Sequence, residues 1–140
     1  MKKPNIIDKA FFLKKGRLFS KLDLDLLLTI ADRMEFHFFR EEEKIFRYDQ
    51  EAKNMYLITS GCVRIDDSKG ECLARLEEGE FFGDESIFSG KNREYTATCE
   101  STVTVLSLTR NHILGIISEC PSVGIALLES YTKEIIFRDR

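Results

Sequence analysis

The chain has 140 residues, of which 43% are hydrophobic and 32% are charged, and its formal net charge at pH 7 is −3. This length is enough for one domain with one hydrophobic core. The slightly acidic balance gives no basic surface for nucleic acid or an anionic membrane, and no apolar run approaches the length of a membrane span. We therefore expect an ordinary globular domain that binds neither nucleic acid nor membrane.

The cysteines and histidines do not have the spacing of a metal or redox motif. The four cysteines lack any CxxC pair, and His37 and His112 are far apart. Asp8 and Lys9 interrupt the apolar N-terminal stretch, so no signal peptide is predicted. These features favour a cytoplasmic protein with reduced thiols and no bound metal or cofactor.

Helices are predicted over about residues 5–34. The segment IIDKAFFLKKG has Ile7, Ala10 and Phe11 on one side, which fits either a docking helix or a helix that covers the rest of the fold. A second helix is predicted from about residue 23 to 34, with Asp23 as its N-cap. Its apolar face comprises Leu24, Leu27, Leu28, Ala31 and Met34.

Strands are predicted from about residue 35 to 108. The segments here are short, rich in aromatic and β-branched residues, and separated by turn sequences such as DDSKG and FSGKN. The clearest hairpin is VRIDDSKGECLARL, in which Gly70 can adopt a positive φ. Many short strands at this spacing are typical of an all-β sandwich or barrel.

Helical periodicity returns over about residues 110–137. Pro121 is expected to begin a second C-terminal helix at its first position. Its apolar stripe is predicted to contain Ile125, Leu128, Tyr131 and Ile135. With no repeat and no linker, residues 1–140 are expected to form a single domain.

The segment FFGDESIFSGKNR, between two predicted strands, has features of an anion site. DESIF can form one helical turn after Gly83, and Arg93 follows where the chain re-enters the sheet. A guanidinium there could bind a phosphate through two parallel hydrogen bonds. The alternative is a turn in which Arg93 pairs with Glu85 or Glu94.

The order of the motifs resembles the cyclic-nucleotide-binding domain family. The resemblance extends from about Leu18 to Leu128 and is carried by LFSKLDLDLLLTIADRMEFHFF, KIFRYDQEAKNMYLITSGCVRI, LARLEEGEFFGDESIF and REYTATCESTVTVLSLTR. It implies a mainly β fold, an eight-stranded jelly-roll β-barrel with N-terminal helices and a C-terminal helical lid over about residues 127–135.

The family's phosphate-binding cassette, F-G-E-L-A-L followed by R-A, aligns with two parts of this sequence. The resemblance implies that Arg93 binds the cyclic phosphate, that Gly83 and Ser86 offer backbone amides, and that Asp84 takes the place of the ribose-binding glutamate. The implied ligand is cAMP or cGMP. The implied ligand-binding residues are Phe82, Gly83, Asp84, Glu85, Ser86, Ile87, Arg93, Glu94 and Tyr95.

Several residues depart from the family pattern. Asp84 is one methylene shorter than glutamate, and Glu85 and Glu94 add negative charge where apolar or small residues are usual. Glu42 and Tyr48 stand where the family has turn glycines, which should change loop shape. If Glu94 points to solvent, it spares the ligand, whereas an inward Glu94 would pair with Arg93.

The resemblance implies a regulatory module rather than an enzyme. Nucleotide binding would move the C-terminal helices and signal to an unidentified effector protein, and the terminal helices could also form a homodimer contact. The alternative, suggested by the added acidic residues, is a degenerate barrel that no longer binds nucleotide and serves as an interaction or structural module. A third alternative is a cupin-like metal enzyme, but that function needs clustered histidines on facing strands.

Overall fold

The computed structural model describes residues 2–133. The N-terminal part of the chain is helical, the middle part is rich in β-strands, and the C-terminal part is again helical. In chain order the elements are α1 (Ile6–Lys15), α2 (Leu24–Arg33), β1 (Glu35–Phe39), β2 (Lys44–Phe46), β3 (Asn54–Ser60), β4 (Val63–Asp66), β5 (Cys72–Leu76), β6 (Phe81–Phe82), α3 (Asp84–Ser89), β7 (Thr96–Cys99), β8 (Val103–Thr109), α4 (Arg110–Glu119) and α5 (Pro121–Lys133).

The two N-terminal helices begin at side chains that cap free backbone amides. Asn5 and Asp8 form a reciprocal capping box at α1. Asp23 accepts a 3.0 Å hydrogen bond from the Leu26 amide, so the predicted N-cap of α2 is confirmed. The predicted apolar face of α2 is partly wrong, because Leu24 is 62% exposed.

The eight strands form two antiparallel four-stranded sheets. The first sheet has the order β1-β8-β3-β6, and the second has the order β2-β7-β4-β5. In the first sheet β3 pairs along most of its length with β8, with Leu57 opposite Leu106. In the second sheet β4 and β5 form the predicted hairpin, and Gly70 in its turn has a φ of 86°.

A mainly β fold with flanking helices is confirmed, but the closed barrel predicted from the sequence is wrong. The backbone pairing among the described residues leaves two separate sheets. Strand β2 has three residues and pairs with β7, while β6 has two residues and pairs with β3. Strands this short offer few backbone groups to bridge to a second neighbour. The jelly-roll connectivity remains a prediction.

Hydrophobic residues pack in two layers on either side of the first sheet. Strand β3 supplies both, because Met55 and Leu57 point to the helices while Tyr56 and Ile58 point to the second sheet. The helix-side core includes Leu13, Phe19, Leu27, Ile30, Met55, Leu57, Ile87, Leu106, Leu108, Ile113 and Leu127. The inter-sheet core comprises Phe46, Tyr56, Ile58, Val63, Ile65, Phe82, Ala97, Cys99, Val103 and Val105.

The terminal helices leave much of their predicted apolar faces exposed. In α1, Ala10 and Leu13 are buried, while Ile7 and Phe11 are exposed. In α5, which begins at Pro121 as predicted, the buried residues are Val123, Ala126, Leu127 and Ser130. The predicted stripe is instead largely outward, and its members Ile125 and Leu128 are 57% and 65% exposed. The last predicted member, Ile135, lies outside the described residues.

No single helix between residues 2 and 133 is long and apolar enough to cross a membrane. Helices α4 and α5 reach that length only as a pair, and they are bent by 113° at their junction.

Candidate functional site

The segment from β6 to the start of β7, residues 81–95, forms a compact loop around α3, and we call it the cassette. Gly83 precedes α3 with a φ of 76°, and Gly90 ends α3 with a φ of 75°. Both values lie in the left-handed region that glycine adopts without strain. The predicted helical turn DESIF is therefore confirmed as part of α3.

Backbone hydrogen bonds fix Arg93 in the loop that follows α3. Its amide donates to the carbonyl of Gln50 at 2.8 Å, and its carbonyl accepts from the amide of Asp49 at 2.7 Å. The connection between β2 and β3 thus holds the backbone of Arg93 from both sides. This anchoring directs the side chain inward between the two sheets.

The Arg93 side chain is 3% exposed and bonded to main-chain carbonyls. Nη1 donates to the carbonyl of Gly83 at 2.6 Å, and Nη2 donates to the carbonyl of Asn54 at 2.5 Å. The guanidinium carbon lies 3.9 Å from the centre of the Phe46 ring, which is a cation–π distance. The guanidinium is therefore closely confined.

Arg93 has no close ion-pair partner among residues 2–133, and the charges of Glu85 and Asp84 act on it only from a greater distance. No carboxylate in this part of the chain forms an ion pair with it. Its buried Nε–H also has no hydrogen-bond partner. Burial lowers the pKa of Arg93 from its ordinary value, because the charged form loses hydration. The alternative in which Arg93 pairs with Glu85 or Glu94 is not found.

Tyr95 fills the part of the cassette beside Gly83. Its hydroxyl accepts a 2.7 Å hydrogen bond from the Gly83 amide and donates a 2.7 Å hydrogen bond to Oε1 of Glu85. Its ring lies 5.4 Å from that of Phe46. Burial, and next the charge of Glu85, raise the pKa of Tyr95, so its hydroxyl stays protonated at neutral pH.

Asp84 is buried and connected to the last described turn of α5. It is 7% exposed, and its Oδ2 accepts a 2.6 Å hydrogen bond from the hydroxyl of Tyr131. Glu85 is exposed as a whole residue, but loss of hydration around its carboxyl, together with the charge of Asp84, raises its pKa. A cavity of about 480 Å³ borders Asp84, Glu85 and Tyr131.

The remaining predicted site residues divide into core and surface positions. Phe82 and Ile87 are buried in the inter-sheet and helix-side cores. Ser86 is also buried, and its hydroxyl donates to the carbonyl of Asn92 at 3.3 Å. Glu94 is exposed to solvent. Its charge is therefore directed away from the cassette, as expected for a residue after Arg93 in an extended chain.

Phe46, Asn54 and Tyr131, which are outside the predicted set, also contact the predicted site residues. Phe46 lies under the Arg93 guanidinium, Asn54 supplies a carbonyl to it, and Tyr131 binds Asp84. Tyr131 belongs to the predicted α5 stripe and to the predicted lid over about residues 127–135, but the sequence does not pair it with Asp84. Asn54 gave no signal, because it acts through its backbone.

The described residues contain no group of three or more His, Cys, Asp or Glu side chains that could hold a metal ion. His37 lies on β1, where its Nε2 is 3.0 Å from the Ser107 hydroxyl, and His112 lies on α4. The clustered histidines of a cupin-like site are not found among these residues.

A family model described as a cyclic nucleotide-binding domain matches residues 36–120, which is more than half of the chain and includes the whole cassette. The chain belongs to the cyclic nucleotide-binding domain family. The resemblance seen in the sequence is therefore confirmed.

Two curated proteins illustrate the relatives of this cyclic nucleotide-binding domain. It is 28% identical over 101 residues to a cAMP-dependent protein kinase regulatory subunit from Debaryomyces hansenii, and the match covers 71% of this chain and 22% of that protein. It is also 28% identical over 114 residues to the cGMP-dependent protein kinase egl-4 of Caenorhabditis briggsae, covering 77% of this chain and 15% of the kinase. The chain spans less than a quarter of either relative.

Solved structures share the fold of this cyclic nucleotide-binding domain. The sensor domain of the transcriptional regulator DNR from Pseudomonas aeruginosa has a TM-score of 0.78 at 20% identity, covering 93% of this chain and 95% of that one. The regulatory domain of Toxoplasma gondii PKA, in a co-crystal with cAMP, has a TM-score of 0.80 at 17% identity, covering 91% and 50%. At these identities the likeness concerns the fold.

Proposed function

We propose that this chain is a regulatory module that binds cAMP or cGMP through its cassette and has no catalytic role. The observation that supports this most strongly is the Arg93 guanidinium, which is buried with no carboxylate partner among the described residues. A buried charge without a close ion-pair partner is costly, so an anionic ligand at this position would be stabilising. A cyclic phosphate is a monoanion of suitable size to compensate it.

The donors of Arg93 leave capacity for a phosphate. Of the five N–H groups of a guanidinium, the structure accounts for one bonded to Gly83 and one to Asn54, while the Nε–H has no partner. Because Arg93 is 3% exposed, the cassette must open before a ligand reaches it. In the proposed complex the phosphate takes the remaining donors, and Asp84 accepts from a ribose hydroxyl.

The surrounding charges are compatible with an anionic ligand. Glu94 is exposed, so its carboxylate is well solvated. The pKa of Glu85 is raised, so its carboxyl takes up a proton more readily than an ordinary glutamate when a second negative group is placed nearby. Glu85 and Glu94, which depart from the family pattern, therefore do not by themselves prevent nucleotide binding.

We further propose that binding is coupled to α5 and through it to an effector protein in the cytoplasm. The hydrogen bond between Asp84 and Tyr131 connects the cassette to this helix. Binding shifts the position of α5 only if nucleotide affinity differs between its positions. The exposed Ile125 and Leu128 on α5 form the surface that we propose for the effector or for a homodimer contact.

We also propose that the chain forms a single domain. We expect residues 1–140 to act as one unit, with helices over about 5–34, a jelly-roll strand order over about 35–108 and the C-terminal helices over about 110–137. The part of this last range beyond residue 133 lies outside the described residues.

Isothermal titration of the purified chain with cAMP and with cGMP tests the function. We expect saturable binding of at least one nucleotide. Arg93→Lys retains the charge but loses the planar donor arrangement, so it should weaken binding more than tenfold. Arg33→Lys, on α2, is the matched control and should leave affinity unchanged. If neither nucleotide binds at millimolar concentration, the chain is the alternative, a domain that has lost nucleotide binding and serves as an interaction or structural module.

A further inference from the structure

The charges of this chain are distributed unevenly along its sequence. Residues 2–17 contain six basic residues and one acidic residue, a net charge of +5 in a chain whose total is −3, so the other residues carry −8. The basic residues are Lys2, Lys3, Lys9, Lys14, Lys15 and Arg17. Our expectation of no membrane contact came from the total charge, which does not reveal this basic segment.

Helix α1, within this segment, also presents apolar side chains to solvent. Ile7 is 51% exposed and Phe11 is 63% exposed. They are four residues apart, so they lie on the same side of the helix, and we call the pair the apolar ridge. Ala10 and Leu13, on the other side of α1, are buried in the helix-side core. The ridge is therefore exposed while α1 remains packed against the fold.

Lysines border the apolar ridge. Phe11 lines a cavity of about 490 Å³ at the surface of the first sheet. Lys2, Lys3 and Lys15 line the same cavity. No carboxylate between residues 2 and 133 forms an ion pair with these lysines. Asp8, the acidic residue of the segment, belongs to the capping box of α1. Positive charge and apolar surface thus occur together on one side of the molecule.

Two other lysines fix α1 against the next part of the chain. Nζ of Lys9 donates to the carbonyl of Met34 at 2.7 Å, and Nζ of Lys14 donates to the carbonyl of Ser20 at 2.8 Å. These bonds hold the helix in place and keep the apolar ridge directed outward. Since the acceptors are neutral carbonyls, both ammonium charges still add to the positive potential around α1.

An anionic membrane surface fits this combination. Apolar side chains can enter the boundary between lipid headgroups and acyl chains, while lysine ammonium groups reach the lipid phosphates. A second copy of the chain fits less well, because a twofold contact would bring two segments of like charge together. The net charge of −8 outside residues 2–17 would also keep the other faces of the chain away from the membrane.

We infer that α1 is a membrane-docking helix, which inserts Ile7 and Phe11 into the surface of an anionic lipid bilayer and contacts lipid phosphates through the neighbouring lysines. The helix lies on the bilayer and does not cross it, because its ten residues extend only about 15 Å. Docking needs no nucleotide, so it is independent of the function proposed for the cassette.

Vesicle sedimentation of the full chain tests this docking. Vesicles of phosphatidylcholine would be compared with vesicles of phosphatidylcholine and phosphatidylglycerol. We expect binding to the anionic vesicles to be stronger by roughly tenfold or more, because each lysine near the surface contributes to the attraction. Added salt should weaken this binding, since it screens the lysines and the lipid phosphates from each other.

A double variant tests the contribution of charge. Lys2→Ala with Lys3→Ala should lower the partition coefficient for anionic vesicles by about tenfold or more, at about fivefold for each lysine. Lys44→Ala with Lys69→Ala is the matched control. Both control lysines are exposed, on β2 and in the turn between β4 and β5, and their replacement should leave the partition coefficient unchanged.

A second comparison tests insertion of the apolar ridge. Phe11→Ala should weaken binding to anionic vesicles by about tenfold, because it removes apolar surface that enters the bilayer. Leu73→Ala is the matched control, since Leu73 is 62% exposed on β5 in the second sheet. The chain contains no tryptophan, so Phe11→Trp reports insertion through a blue shift of its emission, which Leu73→Trp should lack. Thermal melting of each variant verifies folding.

Several outcomes would overturn the inference. Failure to sediment with anionic vesicles at low salt would exclude membrane docking. Equal binding to neutral and anionic vesicles would exclude the role of the lysines. Unchanged binding by Phe11→Ala, with no emission shift in Phe11→Trp, would show that the apolar ridge does not insert. None of these measurements contains nucleotide, so each outcome leaves the proposed function of the cassette unaffected.

Discussion

The carbonyl of Gly83 accepts a 2.6 Å hydrogen bond from Nη1 of Arg93, and a Cβ added at Gly83 would lie 2.8 Å from the same nitrogen. Gly83 therefore meets two requirements, a φ of 76° and close approach of its backbone to a buried side chain. The burial of the guanidinium depends on a residue without a side chain at this position.

Alanine substitutions at two glycines should distinguish these requirements. Gly79 also has a positive φ, of 90°, but an added Cβ there meets nothing within 4 Å. Gly79→Ala should lower the free energy of unfolding by about 1 kcal/mol through backbone strain. Gly83→Ala should cost about 1–3 kcal/mol more, because the methyl group displaces Arg93. Urea unfolding measures the free energy of unfolding of both variants. Equal decreases for Gly79→Ala and Gly83→Ala would mean that the contact between Arg93 and Gly83 does not restrict this position.

Glu85 should make stability depend on pH in a defined direction. Its pKa is raised in the folded chain, first by loss of hydration around the carboxyl and then by the charge of Asp84. A carboxyl with a raised folded pKa contributes stability below its unfolded pKa of about 4.3, and that contribution is lost as pH rises through the raised value.

Glu85→Gln removes this charge but keeps an oxygen that can accept from Tyr95. We expect the variant to unfold at a higher temperature than wild type at about pH 7 and at the same temperature at about pH 4. Glu41→Gln, in the turn between β1 and β2, serves as the control. A difference between Glu85→Gln and wild type that stays constant over this pH range would contradict the raised pKa.

Replacement of Glu42 by glycine should stabilise the folded chain. It has a φ of 74°, and its amide donates to the carbonyl of Cys99 at 2.8 Å, a bond that glycine retains. Relief of the left-handed strain should raise the free energy of unfolding by up to about 1 kcal/mol. Glu41→Gly, in the same turn without a positive φ, should lower it or leave it unchanged. A loss with Glu42→Gly would show that the turn tolerates glutamate without strain.

Two turns show how well the glycine positions of the family pattern predict the backbone of this chain. Glu42 stands at a family glycine and adopts the positive φ that a glycine would. At the second such position, Tyr48, the positive φ is found one residue later, at Asp49, where it is 68°. Sequence analysis therefore located both turns, but a shift of one residue depends on backbone geometry that a motif does not encode.

The cassette could be located from the sequence, but its internal hydrogen bonds could not. The order of Gly83, the α3 turn and Arg93 was sufficient to place these groups together. The partners of Arg93 are carbonyls of Gly83 and Asn54, and backbone groups are present at every residue. The link from Asp84 to Tyr131 joins residues 47 positions apart, and no local periodicity indicates such a contact.

The sequence did not show which face of α5 is buried, because this helix is apolar on two sides. Val123, Ala126 and Leu127 form one row, and Ile125 and Leu128 form another. Helical periodicity identifies both rows but does not say which one faces the protein. The structure buries the first row against the helix-side core and leaves the second exposed.

Adjacent leucines in α5 test this orientation directly. Leu127 is 4% exposed and Leu128 is 65% exposed. Leu127→Ala should lower the free energy of unfolding by about 2–5 kcal/mol, because it leaves a cavity in the core. Leu128→Ala should change it by less than about 0.5 kcal/mol in dilute protein. Urea unfolding at two protein concentrations provides the measurement. A large, concentration-dependent loss for Leu128→Ala would show that this face is covered by a second copy of the chain.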